Sequence, residues 1–221
     1  MIGFVGDIHG EFGIFERTVN EAQLKGANCI IQVGDFGFYY NLLNELMTFV
    51  WDLPIYVIDG NHEDHKLLDA ALFENGNDKT PVELMKNLIF VPRGSYLTID
   101  NKNIAFLGGA ASVDKQIRLR NGWHYSWGEN ILPEEISRLD SVEKVDILVT
   151  HVPPQSTIQK HFNPNDLRWF GLPPTWRDPN ADLVENLWNR LNNPQLICGH
   201  MHRHIDDGNV TILNIHELKC I

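Results

Sequence analysis

Carboxylate, imidazole and amide side chains recur in this sequence directly after short apolar runs. The candidate metal ligands among them, in the strings GDIHG, GDF, GNHED, TH and GHMH, are Asp7, His9, Asp35, Asn61, His151, His200 and His202. Oxygen and nitrogen ligands without thiolate favour Mn, Fe, Zn or Ni over Cu(I) or an iron–sulfur cluster. These ligands are too many for one four-coordinate ion, so the sequence predicts two metal ions, roughly 3.5–4 Å apart, that share a carboxylate.

Each of these residues also has an ordinary structural interpretation. Asp35 could cap a helix, His151 could be a hydrogen-bonded core residue, and the string GNHED could be a turn that leads into a helix. Taken singly, these interpretations compete well with metal binding. The order of the motifs and their common position after apolar runs favour the metal site over all of them.

Short runs rich in Ile and Val must position these residues. They cover residues 2–5, 29–33, 55–58, 145–149 and 195–198. Their length and composition predict strands that are buried on both faces. Apolar residues at helical spacing predict helices over 12–25 and 42–50, so the first three strands suit βαβ units of roughly 30 residues. Since ligands of open α/β sheets gather beyond the carboxyl ends of the strands, distant residues are expected to meet in one crevice.

Further short strands are predicted in a second region, over 88–91, 96–99 and 104–107, with a hairpin turn at 100–103. Residues 210–218 alternate in part and could add edge strands. An α/β fold with two packed sheets and flanking helices accommodates both groups of strands.

Two long segments, 111–131 and 153–180, are punctuated by Gly and Pro and rich in aromatic residues. Loops of this length inside a compact domain are usually binding loops or lids. We therefore expect a single domain over residues 1–221, with these two segments as excursions from it.

The amino-acid composition disfavours some classes of binding partner. The formal net charge of −11 disfavours long nucleic acid, whose binding needs many contacts from Lys and Arg. No apolar stretch approaches the roughly 20 residues of a membrane crossing, so no membrane association is expected. Cys29, Cys198 and Cys220 lie in or beside apolar runs and are predicted to be free thiols, which favours a cytoplasmic setting.

The ordered motifs resemble those of the calcineurin-like metallophosphoesterases. The matching blocks are GDIHG at 6–10, GD at 34–35, GNHE at 60–63, TH at 150–151 and GHMH at 199–202. The resemblance implies a four-layer αββα sandwich of two mixed β-sheets flanked by helices, with a dinuclear centre. By this match one metal would bind Asp7, His9, Asp35 and His202, and the other would bind Asp35, Asn61, His151 and His200.

The resemblance also implies a reaction: a hydroxide that bridges the two ions, expected to be Mn or Fe with Zn or Ni as alternatives, attacks phosphorus in line. His62 matches the histidine that does not bind metal and that protonates the leaving oxygen. The leading hypothesis is a phosphomonoesterase acting on a phosphoprotein or a small phosphorylated metabolite. The alternatives are a phosphodiesterase or nuclease, a dinucleoside-polyphosphate hydrolase, and a catalytically silent scaffold.

The second block departs from that of Ser/Thr protein phosphatases, which carry GDxVDRG. Phe38 and Tyr39 occupy the positions whose Asp and Arg orient the acid histidine and bind phosphate in those enzymes. The later segment GGAASVDKQIRLR is similar to bacterial and phage members of the superfamily. Its Arg118 and Arg120 are candidate phosphate ligands, since a guanidinium binds phosphate with two hydrogen bonds. Solvated loop arginines are the alternative.

Overall fold

A computed structural model describes residues 1–76 and 79–221 of the chain. The strands are β1 (Ile2–Val5), β2 (Cys29–Gln32), β3 (Ile55–Val57), β4 (Val82–Met85), β5 (Leu88–Phe90), β6 (Ser95–Ile99), β7 (Lys102–Leu107), β8 (Ile147–Thr150), β9 (Gln195–Cys198), β10 (Ile205–Asp207), β11 (Val210–Ile212) and β12 (Leu218–Cys220). The helices are α1 (Phe12–Leu24), α2 (Leu43–Leu46), α3 (His65–Glu74), α4 (Lys115–Asn121), α5 (Pro133–Ser137), α6 (Gln155–His161) and α7 (Pro179–Arg190), with 3₁₀ helices at Tyr40–Leu42, Trp127–Glu129 and Pro164–Phe170.

The strands form two six-stranded sheets of mixed direction. The first sheet has the order β12-β1-β2-β3-β5-β4, in which β1, β2, β3 and β5 run parallel and both edge strands are antiparallel. The second has the order β10-β11-β9-β8-β7-β6, again with a parallel centre and antiparallel edges. The parallel centres bring the carboxyl ends of successive strands to a common edge of each sheet.

Three apolar clusters separate the layers. Successive side chains of a strand point to opposite faces, so on β2 Ile30 packs with α1 while Ile31 packs against the second sheet. On β8, Leu148 packs with α7, whereas Val149 joins Ile31 between the sheets. The order of layers is therefore helix, sheet, sheet, helix, which confirms the predicted αββα sandwich.

The two main helices follow from local sequence. On α1 the buried residues Phe12, Phe15, Val19 and Ala22 recur at helical spacing and cover the first sheet. The start of α7 is set by Asp178, whose side chain accepts a hydrogen bond from the backbone N–H of Asn180. A proline follows at the first helical position, where its missing N–H costs nothing.

Several sequence-based boundaries differ from the structure. The helix expected over 42–50 is only a 3₁₀ turn and the single turn of α2, because Thr, Phe and Val at 48–50 are weak helix formers. The strand expected over 145–149 is β8, which begins two residues later. The hairpin turn is tighter than expected: Asp100 and Asn101 both have positive φ, 48° and 62°, as a two-residue hairpin loop requires.

The two long excursions contain ordered elements. Segment 111–131 carries α4 and a 3₁₀ helix, and segment 153–180 carries α6, a 3₁₀ helix and the start of α7. The sequence predicts loops for both, because short helices are not recognisable in stretches rich in Gly and Pro. Their action as lids, and the extent of a single domain over 1–221, stay predictions.

The structure describes the state of the cysteines and the length of the helices, on which two expectations depend. The three cysteines are free, with Cys29 and Cys198 buried and Cys220 partly buried. Within residues 1–76 and 79–221, no helix combines the length and the apolar character that a membrane crossing needs.

Candidate metal centre

The predicted ligands lie just beyond the carboxyl ends of five central strands. From the first sheet, Asp7 and His9 follow β1, Asp35 follows β2 and Asn61 follows β3. From the second sheet, His151 follows β8, and His200 and His202 follow β9. Contacts described below connect all of them, so residues from the two ends of the chain meet in one cluster. This is the convergence that the positions of the motifs predict.

Asp7, His9, Asp35 and His202 form one compact group. Each offers a ligand atom, and these atoms lie within 4.8 Å of one another. Nε2 of His9 is 3.0 Å from Nε2 of His202, which is itself 3.2 Å from Oδ2 of Asp7. Two imidazole nitrogens that face each other beside buried carboxylates suit a shared cation.

A second group forms around His151. Its Nδ1 donates to the backbone carbonyl of Val33 at 2.8 Å, which turns Nε2 toward Oδ1 of Asn61 at 3.2 Å and Oδ1 of Asp35 at 3.4 Å. The amide of Asn61 is itself oriented, because its Nδ2 donates to Oγ of Ser112 at 3.0 Å. Atoms that normally accept hydrogen bonds or bind metal therefore face one another, and a cation fits between them.

His200 connects the two groups. Its backbone N–H donates to both carboxylate oxygens of Asp7, at 3.0 and 3.1 Å, and its ring lies 5.0 Å from the ring of His151. Burial lowers the pKa of His200 to about 3, so the imidazole is neutral at physiological pH. A neutral imidazole has the lone pair that a metal ligand needs.

Asp35 lies between the groups. Its Oδ2 is 3.9 Å from Nδ1 of His9, and its Oδ1 is 3.4 Å from Nε2 of His151. Burial raises the pKa of Asp35, but His151, His62 and His9 together hold it well below the usual range, so the carboxylate is ionised. In turn, burial lowers the pKa of His151, but Asp35 and Asp7 raise it to about 10. That imidazole is consequently a strong base toward a proton or a metal ion.

Four residues of this cluster are among the ten described residues other than Gly that have positive φ. His9, Asp35, His200 and His202 all have positive φ, between 48° and 68°. A left-handed conformation of a residue other than Gly costs of order 1–3 kcal/mol and persists where the surrounding structure enforces it, often at functional sites. The strain marks these residues independently of the motifs.

Two glycines bring the backbone close to the carboxylates. A Cβ atom on Gly60 would lie 2.1 Å from Oδ1 of Asp35, and one on Gly199 would lie 2.1 Å from Oδ1 of Asp7. Real Cβ atoms essentially never approach other atoms so closely, so both positions require Gly. The loops after β3 and β9 therefore pack against the two carboxylates with no room for a side chain at these positions.

His62 is also brought to the cluster, as predicted from its motif. Its ring meets the ring of His9 edge-on at 5.3 Å, and its backbone N–H donates to Oδ1 of Asp35 at 2.7 Å. Nε2 of His62 lies 3.9 Å from Oδ2 of Asp114. Burial lowers the pKa of His62. Its side chain remains partly exposed at the mouth of the cluster.

The two candidate arginines lie on different faces of α4. Arg118 is buried; its Nη1 donates to Oγ of Ser112 at 3.2 Å and to the carbonyl of Asn61 at 3.5 Å, and its Nε donates to the carbonyl of His124. Arg120 is exposed. Two residues along an α-helix turn the side chain by roughly 200°, so Arg120 points away from the face that Arg118 presents.

Sequence reasoning missed the residues that hold the motifs in place. Ser112, which orients Asn61, is fixed by Glu129: Oγ of Ser112 donates to Oε2 at 2.6 Å, and its backbone N–H donates to Oε1 at 3.2 Å. Glu129 also accepts from the hydroxyl of Tyr125. Nothing local in the sequence distinguishes these residues, because their partners are set by the tertiary fold. Their position within the long segment 111–131 was the only signal.

Glu63 was missed although it lies inside a motif. Its buried carboxylate accepts hydrogen bonds from the backbone N–H groups of Phe36, Gly37 and Phe38, at 2.7, 3.1 and 2.7 Å. Burial raises the pKa of Glu63 well above its usual value, and the nearby Asp35 raises it further. The last residue of the string GNHE thus fixes the loop that carries Asp35.

Two mixed sheets between helical layers, with Asp and His side chains gathered at the strand ends, define an α/β sandwich with a candidate metal site. The model of the calcineurin-like phosphoesterase family matches residues 1–204, and the chain belongs to this family. The family generally hydrolyses phosphoesters. No curated protein matches the chain at a significant level.

Solved structures share the fold at low sequence identity. The crystal structure of TT1561 of Thermus thermophilus is 15% identical, with a TM-score of 0.53, over 96% of this chain and 87% of that one. A second crystal structure is 11% identical, with a TM-score of 0.55, over 96% of this chain and 89% of the other. At these identities the likeness describes the fold alone.

Proposed function

We propose that this protein is a phosphomonoesterase that uses two metal ions. The observation that carries the proposal is the convergence of Asp, Asn and His ligand atoms in two groups that share Asp35. One ion would be held by Asp7, His9, Asp35 and His202, and the other by Asp35, Asn61, His151 and His200. Oxygen and nitrogen ligands suit Mn or Fe, with Zn or Ni as alternatives.

When bound, two adjacent cations lower the pKa of water toward neutrality and stabilise negative charge on the oxygens of a phosphoryl group. The chain contributes the rigid arrangement of ligands. The hydrogen bond from His151 to Val33 and the one from Asn61 to Ser112 fix two ligands before any metal binds. Such oriented ligands lose little entropy on binding, which supports a metal role for the cluster.

His62 is the proposed proton donor to the leaving oxygen. It lies beside His9 at the mouth of the cluster, and its ring is partly exposed to an arriving substrate. Its backbone N–H donates to Oδ1 of Asp35, which ties the loop after β3 to this ligand. A proton donor beside His9 and Asp35, which would hold the ions, is well placed to protonate the leaving oxygen.

Arg118 is the proposed ligand for the phosphate oxygens. Its Nε and Nη1 are occupied by backbone and Ser112 oxygens, whereas Nη2 donates to no group in the described part of the chain. A buried guanidinium anchored in this way can direct the remaining donor at a phosphate oxygen. Arg120, on the opposite face of α4, is the weaker of the two candidates.

Monoesters are favoured over diesters within the proposal. The net charge of −11 and the lack of a basic tract disfavour long nucleic acid substrates. A phosphoprotein or a small phosphorylated metabolite is the expected partner, in a cytoplasmic setting that free thiols favour. A phosphodiesterase with the same centre is the competing function.

A paired assay tests the proposal. The purified protein, supplied with Mn²⁺, should hydrolyse p-nitrophenyl phosphate faster than bis-p-nitrophenyl phosphate, and EDTA should abolish both activities. Asn61→Ala should lower kcat/KM by at least roughly 100-fold, while Asn189→Ala, at an exposed position of α7, should leave it unchanged. A preference for the diester would replace the proposal by its competitor. Metal-loaded protein without activity toward either ester would favour a scaffold.

A further inference from the structure

An aspartate at the start of α4 lacks the capping hydrogen bond that Asp usually forms at this position. Asp114 is the N-cap residue of α4, yet its side chain forms no capping hydrogen bond with the helix. Capping by Asp is common because the carboxylate satisfies free N–H groups of the first turn. Since this carboxylate forms no hydrogen bond with them, contacts elsewhere must account for its orientation.

The two oxygens of that carboxylate face the centre. Oδ2 of Asp114 lies 3.9 Å from Nε2 of His62, and Oδ1 lies 3.9 Å from Nη1 of Arg118. Oδ1 is buried and accepts no hydrogen bond from the described residues. Buried polar atoms without hydrogen bonds are rare in proteins and frequently have a functional reason. Asp114 is thus held by charge between the proposed acid and the proposed phosphate ligand.

In the part of the chain that the structure describes, no other carboxylate forms an ion pair with the ring of His62. Asp35 accepts the backbone N–H of His62 rather than a ring nitrogen, and His9 presents another imidazole. Phe38 is buried in the apolar core, and Tyr39 contacts the ring of His124 at 5.4 Å. The positions of Phe38 and Tyr39 therefore supply no acidic partner for this ring, and the N-cap position of α4 supplies one.

We infer that Asp114 is a positioning residue that orients the imidazole of His62 for proton delivery. The inference rests on the proposed function of His62 and deepens it. In this role Asp114 acts through His62, and Arg118 keeps its carboxylate in place. The orienting acid of this active site thus comes from segment 111–131, which also supplies Ser112 and Glu129.

Leaving-group dependence tests this role. Loss of proton delivery matters most for a poor leaving group, so Asp114→Asn should lower kcat roughly tenfold with phenyl phosphate and at most about threefold with p-nitrophenyl phosphate. KM should change little with either ester. Asp182→Asn removes an exposed carboxylate that pairs with Arg177, and it should leave both reactions unchanged. Equal losses with the two esters, or faster turnover in Asp114→Asn, would overturn the inference.

A double-mutant cycle separates positioning from a structural effect. In a His62→Asn background, Asp114→Asn should have no further effect on kcat with phenyl phosphate, because the residue it orients is gone. Additive losses would mean that Asp114 acts elsewhere. Circular dichroism and metal content of each variant establish that it has folded and is loaded.

Imidazole NMR tests the same contact without catalysis. Long-range ¹H–¹⁵N spectra of the Zn²⁺-loaded protein, with the His62 signals assigned from His62→Asn, should show a shift of Nε2 in Asp114→Asn and none in Asp182→Asn. Unchanged His62 signals in Asp114→Asn would refute the contact. If the wild-type protein hydrolysed no phosphoester, the proposed function would fail, and these spectra would still decide whether Asp114 orients His62.

Discussion

At the scale of single residues, Gly60 and Gly199 bring the backbone close to the carboxylates of Asp35 and Asp7. Both are followed by ligands, and a side chain on either would overlap a ligating carboxylate. The sequence placed these glycines beside the motifs, but it could not tell which of them tolerate a side chain. That distinction depends on distances between loops that are far apart in the sequence.

The substitution Gly60→Ala tests this close approach. Its Cβ would meet Oδ1 and the backbone N of Asp35, at 2.1 and 2.5 Å, so the loops must separate. We expect metal affinity to fall about 10- to 100-fold, as when an outer-shell contact of a metal site is lost. Metal content after dialysis and isothermal titration with Mn²⁺ provide the measurement.

Gly13→Ala is the matched control. Gly13 lies in α1, and a Cβ there meets nothing within 4 Å. Because Ala has the higher helix propensity, this variant should bind metal normally and gain roughly 0.5–1 kcal/mol in free energy of unfolding. Normal metal binding by Gly60→Ala would show that the loops can relax.

At the scale of elements, the strands that deliver ligands were the easiest to predict, because β1, β2 and β9 are continuous apolar runs buried on both faces. Two edge strands, β4 and β10, were not predicted. Their sequences, VELM and IDD, carry acidic residues and are short, so no periodic pattern identifies them. Their pairing is decided by the neighbouring strand rather than by their own composition.

A buried ion pair joins the segments after β3 and β5, and it could likewise not be predicted from the sequence. Arg93, after β5, pairs with Asp59, after β3, and donates to the carbonyls of Gly128 and Asn130. Burial raises the pKa of Asp59, but Arg93 and His65 hold it below its usual range. The pair connects the loop that precedes Asn61 to the segment that carries Glu129. It therefore stabilises the backbone that holds these two residues in place.

Replacing Arg93 by Met should destabilise the protein by about 3–5 kcal/mol at pH 7, since it leaves the buried Asp59 without its cation. In the wild type the contribution of Asp59 is present above its unfolded pKa of about 3.9 and is lost only as the pH falls below that value. In the variant, burial favours the protonated acid. The difference in free energy of unfolding between the wild type and Arg93→Met should therefore be smaller at pH 5 than at pH 7, as measured by urea unfolding.

Arg190→Met provides the contrast for this experiment. Arg190 pairs with Asp140 at the surface, where both side chains are largely exposed. Exposed pairs contribute about 0–1 kcal/mol, so this variant should be close to the wild type at both pH values. Equal effects of the two substitutions would contradict the special role of the buried pair.

At the scale of the whole molecule, the centre forms only when both sheets are in place. The first sheet supplies Asp7 and Asp35, the second supplies His151 and His200, and the backbone of His200 donates directly to Asp7. That convergence could be predicted, because parallel strands of an α/β fold present their carboxyl ends at one edge. The packing of one sheet on the other could not, since it depends on the complementarity of side chains such as Ile31, Val149 and Ile197.

Metal binding should therefore stabilise the whole fold rather than one loop. An ion present at 100 times its dissociation constant adds about 2.7 kcal/mol to the free energy of unfolding. For a domain of this size that corresponds to a rise in Tm of roughly 5–10 °C. Calorimetry with Mn²⁺ and with EDTA measures the difference. Asp7→Asn should lose most of it, whereas His161→Ala, which removes the pair between α6 and Asp207 of β10, should retain it. If EDTA left the Tm of the wild type unchanged, the packing of the two sheets would not depend on the ions.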